Sequence, residues 1–496
     1  MERLAFGHGA VPGRREVPEV RIEPRVPHER DIPPVVADPL PGESSDWAFF
    51  GLLGFTAVLF FRPQDQIPAL GALHLAEVTA LIGLGAMVAK RLARGLSIVR
   101  ITPEIAALLA FGGALVFSTP FSFWPGGSVE VITGLYVKVL LIVVLMVNSI
   151  NSARRLRQFA WLIVLTSSYL AARAVFDYVR GVNLIENGRV AGSVHGMFGN
   201  PNDLALNMVA FLPLAALFAL KAARPRRASA SKTPAPRKER SSMLPWVATV
   251  AALLMVLTVV FTKSRSGALG MAAMGAALVY FGHRIRPSLA PIALVAAILA
   301  VPMLPSSFWA RMTSIVEPAA DDTGSREARR TVMWEATEVF LERPFTGIGP
   351  GQFKNYNPPG REERWREAHN VWLQVASETG LPGLLTFGFL VAAAFRAVLW
   401  ARRRLARLPA SGAGLSPLDR RDAPILHLHA AALIASLVGW FVCAFFASVA
   451  YNWTFYYLFG MCIVTRELTR SLVAGLPARR NAPQPAAVPN VALARG

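Results

Sequence analysis

Apolar segments of about 15 to 24 residues recur along the chain, and their length is the strongest constraint on its fold. A helix needs about 20 apolar residues to cross a bilayer. The sequence therefore predicts an all-α integral membrane protein with about twelve transmembrane helices. The predicted spans are 47–61, 68–89, 103–118, 129–149, 158–176, 204–221, 243–262, 266–282, 288–304, 381–400, 425–447 and 452–465.

Composition excludes several other classes of protein. Only 17% of the 496 residues are charged, whereas soluble proteins carry about 25%. Two cysteines are too few for a secreted scaffold of this length that depends on disulfides. Both Cys443 and Cys462 are expected to be buried thiols. The net charge of +20 is explained by basic inner loops, so no nucleic-acid partner is predicted.

The distribution of Lys and Arg predicts the orientation of the spans. Of the 51 basic residues, 35 lie in the two tails and in every second gap between spans. Cytoplasmic loops concentrate Lys and Arg, so both termini are predicted to be cytoplasmic. The predicted organisation is a disordered cytoplasmic tail (1–45), helices one to nine (46–304), a large periplasmic loop (305–380), helices ten to twelve (381–466) and a second cytoplasmic tail (467–496).

The large outer loop carries one pattern typical of a helix. Between Glu327 and Glu342, apolar and acidic residues fall on opposite faces at helical spacing. The apolar stripe consists of Val332, Met333, Ala336, Val339 and Phe340. This pattern predicts a helix that lies on the outer membrane surface or on the bundle.

Two outer segments contain candidate functional residues, each with a structural alternative. His369, in AHNVWLQVASETGLPG, is either a general base or a cap for the helix that begins at Asn370. Lys263 and Arg265, in TKSRSG, either bind a phosphate or anchor the helix end at the lipid headgroups.

Two further outer segments contribute arginines. Arg326, Arg329 and Arg330 open the predicted loop helix, where positive charge opposes the helix dipole and an anionic ligand would compensate. The glycines of 347–351 follow a helix rather than a strand, so they predict a turn and no dinucleotide site.

The GNPND sequence predicts a helix start. Asn200 is expected to be the N-cap and Pro201 the first helical residue. Arg189 adds a cation to the outer face near His195.

In order, GMFGNPNDLA, TKSRSG, REARRTVMW…RPFTGIGPGQF and AHNVWLQVASETGLPG resemble the O-antigen ligase and Wzy-type polymerase superfamily over residues 188–385. The resemblance implies a glycosyltransferase of the bacterial inner membrane that works without a metal ion or cofactor. Its partners would be the lipid bilayer, an undecaprenyl-pyrophosphate-linked glycan, and a glycan or lipid A-core acceptor.

The resemblance also implies residue roles. Arg265 and Arg330 would hold the donor pyrophosphate, and His369 would deprotonate the acceptor hydroxyl. Arg330 is preferred over its neighbours because the family places an arginine four residues before an aromatic, here Trp334. Arg189 and Lys263 are further substrate-binding candidates.

These motifs leave two questions open. Ligases, polymerases and protein glycosyltransferases share them, so the acceptor is not determined. The alternative from another class is an inner-membrane solute or anion transporter, which predicts ionisable residues deep within several spans. Lys138 and Arg173 are its main candidates.

The orientation can be tested by labelling with a membrane-impermeant thiol reagent. We expect a cysteine placed at Ser325 to react in intact spheroplasts and one placed at Ser231 to remain unlabelled, because only the first lies in an outer gap. The reverse pattern would invert the orientation and move the candidate site to the cytoplasmic side.

Overall fold

A computed structural model describes residues 46–194, 198–222, 243–282, 304–313, 325–357, 366–409 and 415–474, and these are mostly helical. The helices are α1 (Trp47–Phe61), α2 (Pro63–Gln66), α3 (Leu75–Ala93), α4 (Pro103–Ser118), α5 (Pro125–Val131), α6 (Val137–Ser149), α7 (Ala153–Arg180), α8 (Pro201–Ala222), α9 (Leu244–Phe261), α10 (Arg265–Gly282), α11 (Ser306–Thr313), α12 (Ser325–Glu342), α13 (Val371–Ala406), α14 (Pro417–Ala444) and α15 (Trp453–Ala474). A short antiparallel hairpin, β1 (Leu184–Ile185) and β2 (Arg189–Val190), follows α7.

The predicted class, an all-α membrane protein with multiple spans, is confirmed. Among the described residues, eight helical segments are long and apolar enough to cross a membrane. They coincide with predicted spans two to seven, ten and eleven. The ninth predicted span, 288–304, lies almost wholly outside the described residues, and the predicted tail 1–45 lies wholly outside them. Of the predicted second tail, 467–496, residues 467–474 continue α15 as helix, and the count of twelve spans stays a prediction.

Span burial shows which helices form the centre of the bundle. Of the apolar stretch of α8 that is long enough to cross the membrane, 78% is buried. Of the corresponding stretch of Pro68–Ala93, which contains α3, only 11% is buried. Large side chains that are fully buried, such as Phe211, Trp440 and Tyr456, lie on α8, α14 and α15. These three helices therefore form the interior, and α3 lies at the edge, where its apolar surface suits lipid.

Gaps that were predicted to share the inner side meet at one end of the bundle. The Asp46 carboxylate pairs with Lys90 at 3.2 Å and with Arg155 at 2.7 Å. Arg100 pairs with Glu467 at 2.7 Å. The Asp46 contacts join the residue before α1 to the end of α3 and to the start of α7. The Arg100 contact joins the gap after α3 to α15.

Gaps that were predicted to be outer meet at the opposite end. The backbone N–H of Phe123 donates to the Ile348 carbonyl at 2.8 Å. The Arg189 guanidinium donates to the Thr262 carbonyl at 3.0 Å. The chain thus alternates between two ends as the charge pattern predicts, and the membrane side that each end faces remains a prediction.

The predicted loop helix is present as α12, and it packs on the bundle through α13. A small core contains Val332, Ala336 and Val339 from the predicted apolar stripe, together with Ile348, Phe353 and Ala368. On the opposite face, Glu338 and Glu342 are exposed. The amphipathic pattern therefore predicted which side of this helix is buried.

The crossing of α1 and α3 gives a stability prediction. A Cβ added at Gly51 would lie 2.4 Å from the Gly83 Cα, so Gly51→Ala must separate the two backbones. Overpacking of this kind costs about 1–3 kcal/mol, and we expect a lower melting temperature in detergent. The control is Gly85→Ala in α3, where the new methyl group would meet no atom within 4 Å. Equal melting temperatures for the two variants would contradict close packing at this crossing.

Candidate active site

The turn before α10 is fixed by hydrogen bonds that set the position of Arg265, the first residue of that helix. Ser264 Oγ accepts the N–H of Gly267 at 3.2 Å and so caps the helix. The same hydroxyl donates to Asn202 Oδ1 at 2.8 Å. This links the turn to the first residues of α8, where Asn200 and Pro201 begin the helix as predicted.

Arg189 is held by this scaffold. Its side chain is buried; Nε donates to the Thr262 carbonyl at 3.0 Å, and Nη2 donates to Asn202 Oδ1 at 2.8 Å. Lys263 is also buried and adopts a positive φ of 46°. The side chains of Arg189 and Lys263 are therefore both buried at the turn before α10.

A cavity of about 910 Å³ lies between the start of α10, helix α12 and the start of α13. Arg265, Arg329 and Arg330 supply its positive charge, and Glu327 adds one carboxylate. Its apolar lining comes from Leu269, Met333, Trp334, Leu373 and Phe446. A cavity with cations beside an apolar wall suits an amphipathic anion, such as a phosphate attached to a hydrocarbon chain.

The spacing in α12 explains why two arginines reach this cavity. Arg330 and Trp334 are four residues apart and share one face of the helix. Arg329 lies at the edge of that face and is partly buried, whereas Arg330 is exposed. The sequence pattern selected Arg330 alone, and the structure adds Arg329 to the cavity.

His369 lies at the start of α13, but it does not cap the helix. Asn370 is the N-cap, and its side-chain oxygen accepts the N–H groups of Trp372 at 2.9 Å and Leu373 at 3.1 Å. The capping interpretation of His369 is therefore wrong. The backbone of His369 has a positive φ of 50°, and its N–H donates to Ser448 Oγ at 3.0 Å.

The environment of His369 favours the neutral imidazole. Burial lowers its pKa to about 4, and the charges of Arg329 and Arg366 act in the same direction. A neutral imidazole has a free lone pair and can accept a proton. His369 is not among the residues that line the cavity, but Leu373, one helical turn further along α13, is.

The cations of the turn before α10, of β2 and of helices α11 and α12 lie close enough to repel one another. Burial lowers the pKa of Arg189 to about 10, and Arg311, Arg329 and Arg265 lower it further, while Glu186 opposes them. Burial, Arg311 and Arg189 also lower the pKa of Lys263. Several segments thus concentrate positive charge at this end of the protein, which favours a bound anion.

The glycines of 347–351 form the predicted turn, and this turn packs against an irregular part of α13. The N–H of Ile348 donates to the Ser377 carbonyl at 3.0 Å, and the N–H of Gly349 donates to the Glu378 carbonyl at 2.8 Å. A Cβ at Gly347 would lie 2.4 Å from the carbonyl carbon of Glu378. Only glycine permits this approach, and its positive φ of 64° adds to the requirement.

Sequence reasoning missed Glu378, whose side chain is buried in this region. Its Oε2 accepts the Gly351 N–H and the Tyr451 hydroxyl, both at 2.8 Å. An ionisable residue just before an apolar span was the available signal. His195 lies outside the described residues. Within the described ranges, no three His, Cys, Asp or Glu side chains are grouped as a metal site.

The fold and the cavity define a membrane protein of several spans with an arginine-lined, amphipathic site at one end of its bundle. Residues 250–388 match the family model described as O-Antigen ligase. This match confirms the predicted relation to the O-antigen ligase and Wzy-type superfamily. No curated protein matches the chain.

The match covers only part of the predicted family core. It contains Arg265, Arg329, Arg330 and His369, and it ends within α13. Residues 188–249, which contain Arg189, lie outside it. The matched segment thus contributes all three cavity arginines.

Proposed function

We propose that this protein is a membrane glycosyltransferase that moves a glycan from undecaprenyl pyrophosphate to an acceptor hydroxyl at the outer face of the bacterial inner membrane. The observation that carries the proposal is the cavity formed by Arg265, Arg329 and Arg330 with an apolar wall, together with the neutral imidazole of His369, one helical turn before the lining residue Leu373. The cavity arginines and His369 fall within the segment that matches the O-antigen ligase family.

The arginines account for donor binding and for departure of the leaving group. One guanidinium group can bind two phosphate oxygens at once through charge-assisted hydrogen bonds. As the bond between the sugar and the pyrophosphate breaks, negative charge grows on the phosphate, and fixed cations stabilise that charge. Leu269, Trp334 and Phe446 offer apolar contact for the first part of a polyprenyl chain.

His369 supplies the base. The acceptor oxygen forms a bond to the anomeric carbon while its proton passes to the imidazole, and the bond from that carbon to the pyrophosphate breaks. A single displacement of this kind inverts the configuration at the anomeric carbon. Because burial, together with the charges of Arg329 and Arg366, lowers the pKa of His369, its imidazole is unprotonated in the free protein at neutral pH.

The acceptor decides between closely related reactions. Transfer to lipid A-core defines a ligase, and transfer to another lipid-linked repeat unit defines a polymerase. A transporter has less support, because Lys138 pairs with Glu77 at 3.3 Å with both side chains about half exposed. Such a pair does not line a path through the bundle.

Donor binding can be tested by conservative substitution of the cavity arginines. We expect Arg265→Lys and Arg330→Lys each to lose most glycan transfer, because lysine keeps the charge but lacks the planar fork that binds two phosphate oxygens. Each such contact contributes about 1.5–3 kcal/mol, which corresponds to roughly a 10- to 150-fold loss of donor binding. The measurement is transfer from a lipid-linked donor by purified protein in detergent.

The matched control is Arg180→Lys at the exposed end of α7, which should retain full activity. Near-normal transfer by both cavity variants would show that a simple positive charge, or anchoring to headgroups, is sufficient.

The base can be tested with His369→Gln, which keeps polarity but cannot accept a proton at neutral pH. We expect transfer to fall about 10²–10⁴-fold with donor binding and melting temperature unchanged. Helix stability should not suffer, because Asn370 provides the cap. Activity within a few-fold of the unmodified protein would end the assignment of His369 as the base.

The pH profile provides a second readout for the same assignment. Since the pKa of His369 is lowered to about 4, its base form persists well below pH 6.5. We expect kcat/KM, which reports the free protein, to decline only as the pH falls towards 4. A decline centred near pH 6.5 would contradict the partly buried, cationic environment of this imidazole.

A further inference from the structure

We propose that Glu378 is a positioning residue. It fixes the position of helix α12, which carries Arg329 and Arg330, relative to the base His369. This inference rests on the proposed function, and it adds a residue that neither the family resemblance nor the cavity lining assigns. Glu378 does not line the cavity. Its effect on transfer would therefore pass through the two segments that it joins.

The carboxylate of Glu378 collects donors from two separate segments. The side chain is only 2% exposed. Oε2 accepts the Gly351 N–H and the Tyr451 hydroxyl at 2.8 Å each, and the Phe353 N–H also hydrogen-bonds the carboxylate. These hydrogen bonds attach each of the two segments to α13.

The first segment supports the arginines. Residues Gly351 and Phe353 belong to the loop that follows α12. The Phe353 side chain is 1% exposed and lies in the small core with Val332 and Ala336, which are on the buried face of α12. The bonds from Glu378 to this loop therefore fix the position of α12 on the bundle, and with it the positions of Arg329 and Arg330.

The second segment supports the histidine. Tyr451 belongs to the turn between α14 and α15, and the same turn contains Ser448, whose Oγ accepts the backbone N–H of His369 at 3.0 Å. The N–H of Ala450 donates to Gln374 Oε1 at 3.1 Å. The bond from the Tyr451 hydroxyl to Glu378 completes the attachment of this turn to α13, beside the base.

A carboxylate suits this junction better than an amide. Three donors converge on Glu378, and a carboxylate offers two acceptor oxygens. Glutamine has the same shape but one acceptor oxygen, so its NH₂ group displaces at least one donor. A misplacement of about 1 Å at a catalytic centre can cost about 10²-fold in rate. In either orientation of the amide at least one donor of the loop after α12 is lost, so Glu378→Gln is expected to disturb this loop.

The Tyr451→Phe variant distinguishes the roles of the two segments. It removes only the hydroxyl, and its ring retains the stacking with Phe111 at a centroid distance of 6.5 Å. Because the bond to Gly351 remains, α12 should stay in place. We expect kcat for glycan transfer to fall at least about 10-fold, while binding of undecaprenyl pyrophosphate, used as the probe, stays within twofold of the unmodified protein.

The full experiment compares Tyr451→Phe, Glu378→Gln and the control Glu342→Gln, an exposed residue on α12. Melting temperature, probe binding and kcat are measured in detergent. We expect Glu378→Gln to weaken probe binding and to lower kcat, and Glu342→Gln to change neither. If Glu378→Gln does not fold, Tyr451→Phe alone decides the question.

The inference is overturned if Tyr451→Phe transfers at the normal rate, or if its probe binding falls as much as its kcat. These results are distinct from failure of the proposed function. Absence of glycan transfer by the unmodified protein would remove the proposed function itself, whereas an inactive His369→Gln beside a normal Tyr451→Phe removes only the role of Glu378.

Discussion

The interruption of α13 at Gly380 is the constraint on which the site depends. With φ 64° and ψ −164°, this residue leaves the helical conformation and frees backbone groups from their helical partners. Inside a membrane protein such groups need partners within the protein. The loop after α12 provides them, since Ile348 and Gly349 donate to α13 and the Pro344 carbonyl accepts the Leu381 N–H at 2.6 Å.

This pairing explains why the loop after α12, which the structure describes through residue 357, is held in one arrangement. The loop is attached to α13 by backbone hydrogen bonds, and the Ser118 hydroxyl of α4 adds a bond to the Glu378 carbonyl at 3.0 Å. Helix α12 then packs against the attached loop through Phe353 and Ile348. The arginines of the cavity are thus supported by a structural irregularity in a neighbouring span.

Electrostatics gives the site its chemical character. The cations at this end of the bundle lower the pKa values of Arg189, Lys263 and His369, and burial is the largest cause in each case. Crowded, partly buried cations favour an anionic ligand, which would relieve their repulsion. The same field keeps His369 neutral in the free protein, and a bound anion would offset the cations and so strengthen the imidazole as a base.

Several features could be predicted from the sequence because they depend on local rules. The length of apolar segments determined the membrane class, helical periodicity determined the buried face of α12, and capping chemistry determined the start of α8 at Pro201. Tertiary structure decided what depends on contacts between distant segments: the addition of Arg329 to the cavity, the burial of Arg189 against Thr262 and Asn202, and the burial of Glu378. These could not be predicted because a hydrogen bond such as that between Tyr451 and Glu378 joins residues 73 positions apart, and no local pattern encodes such a pair.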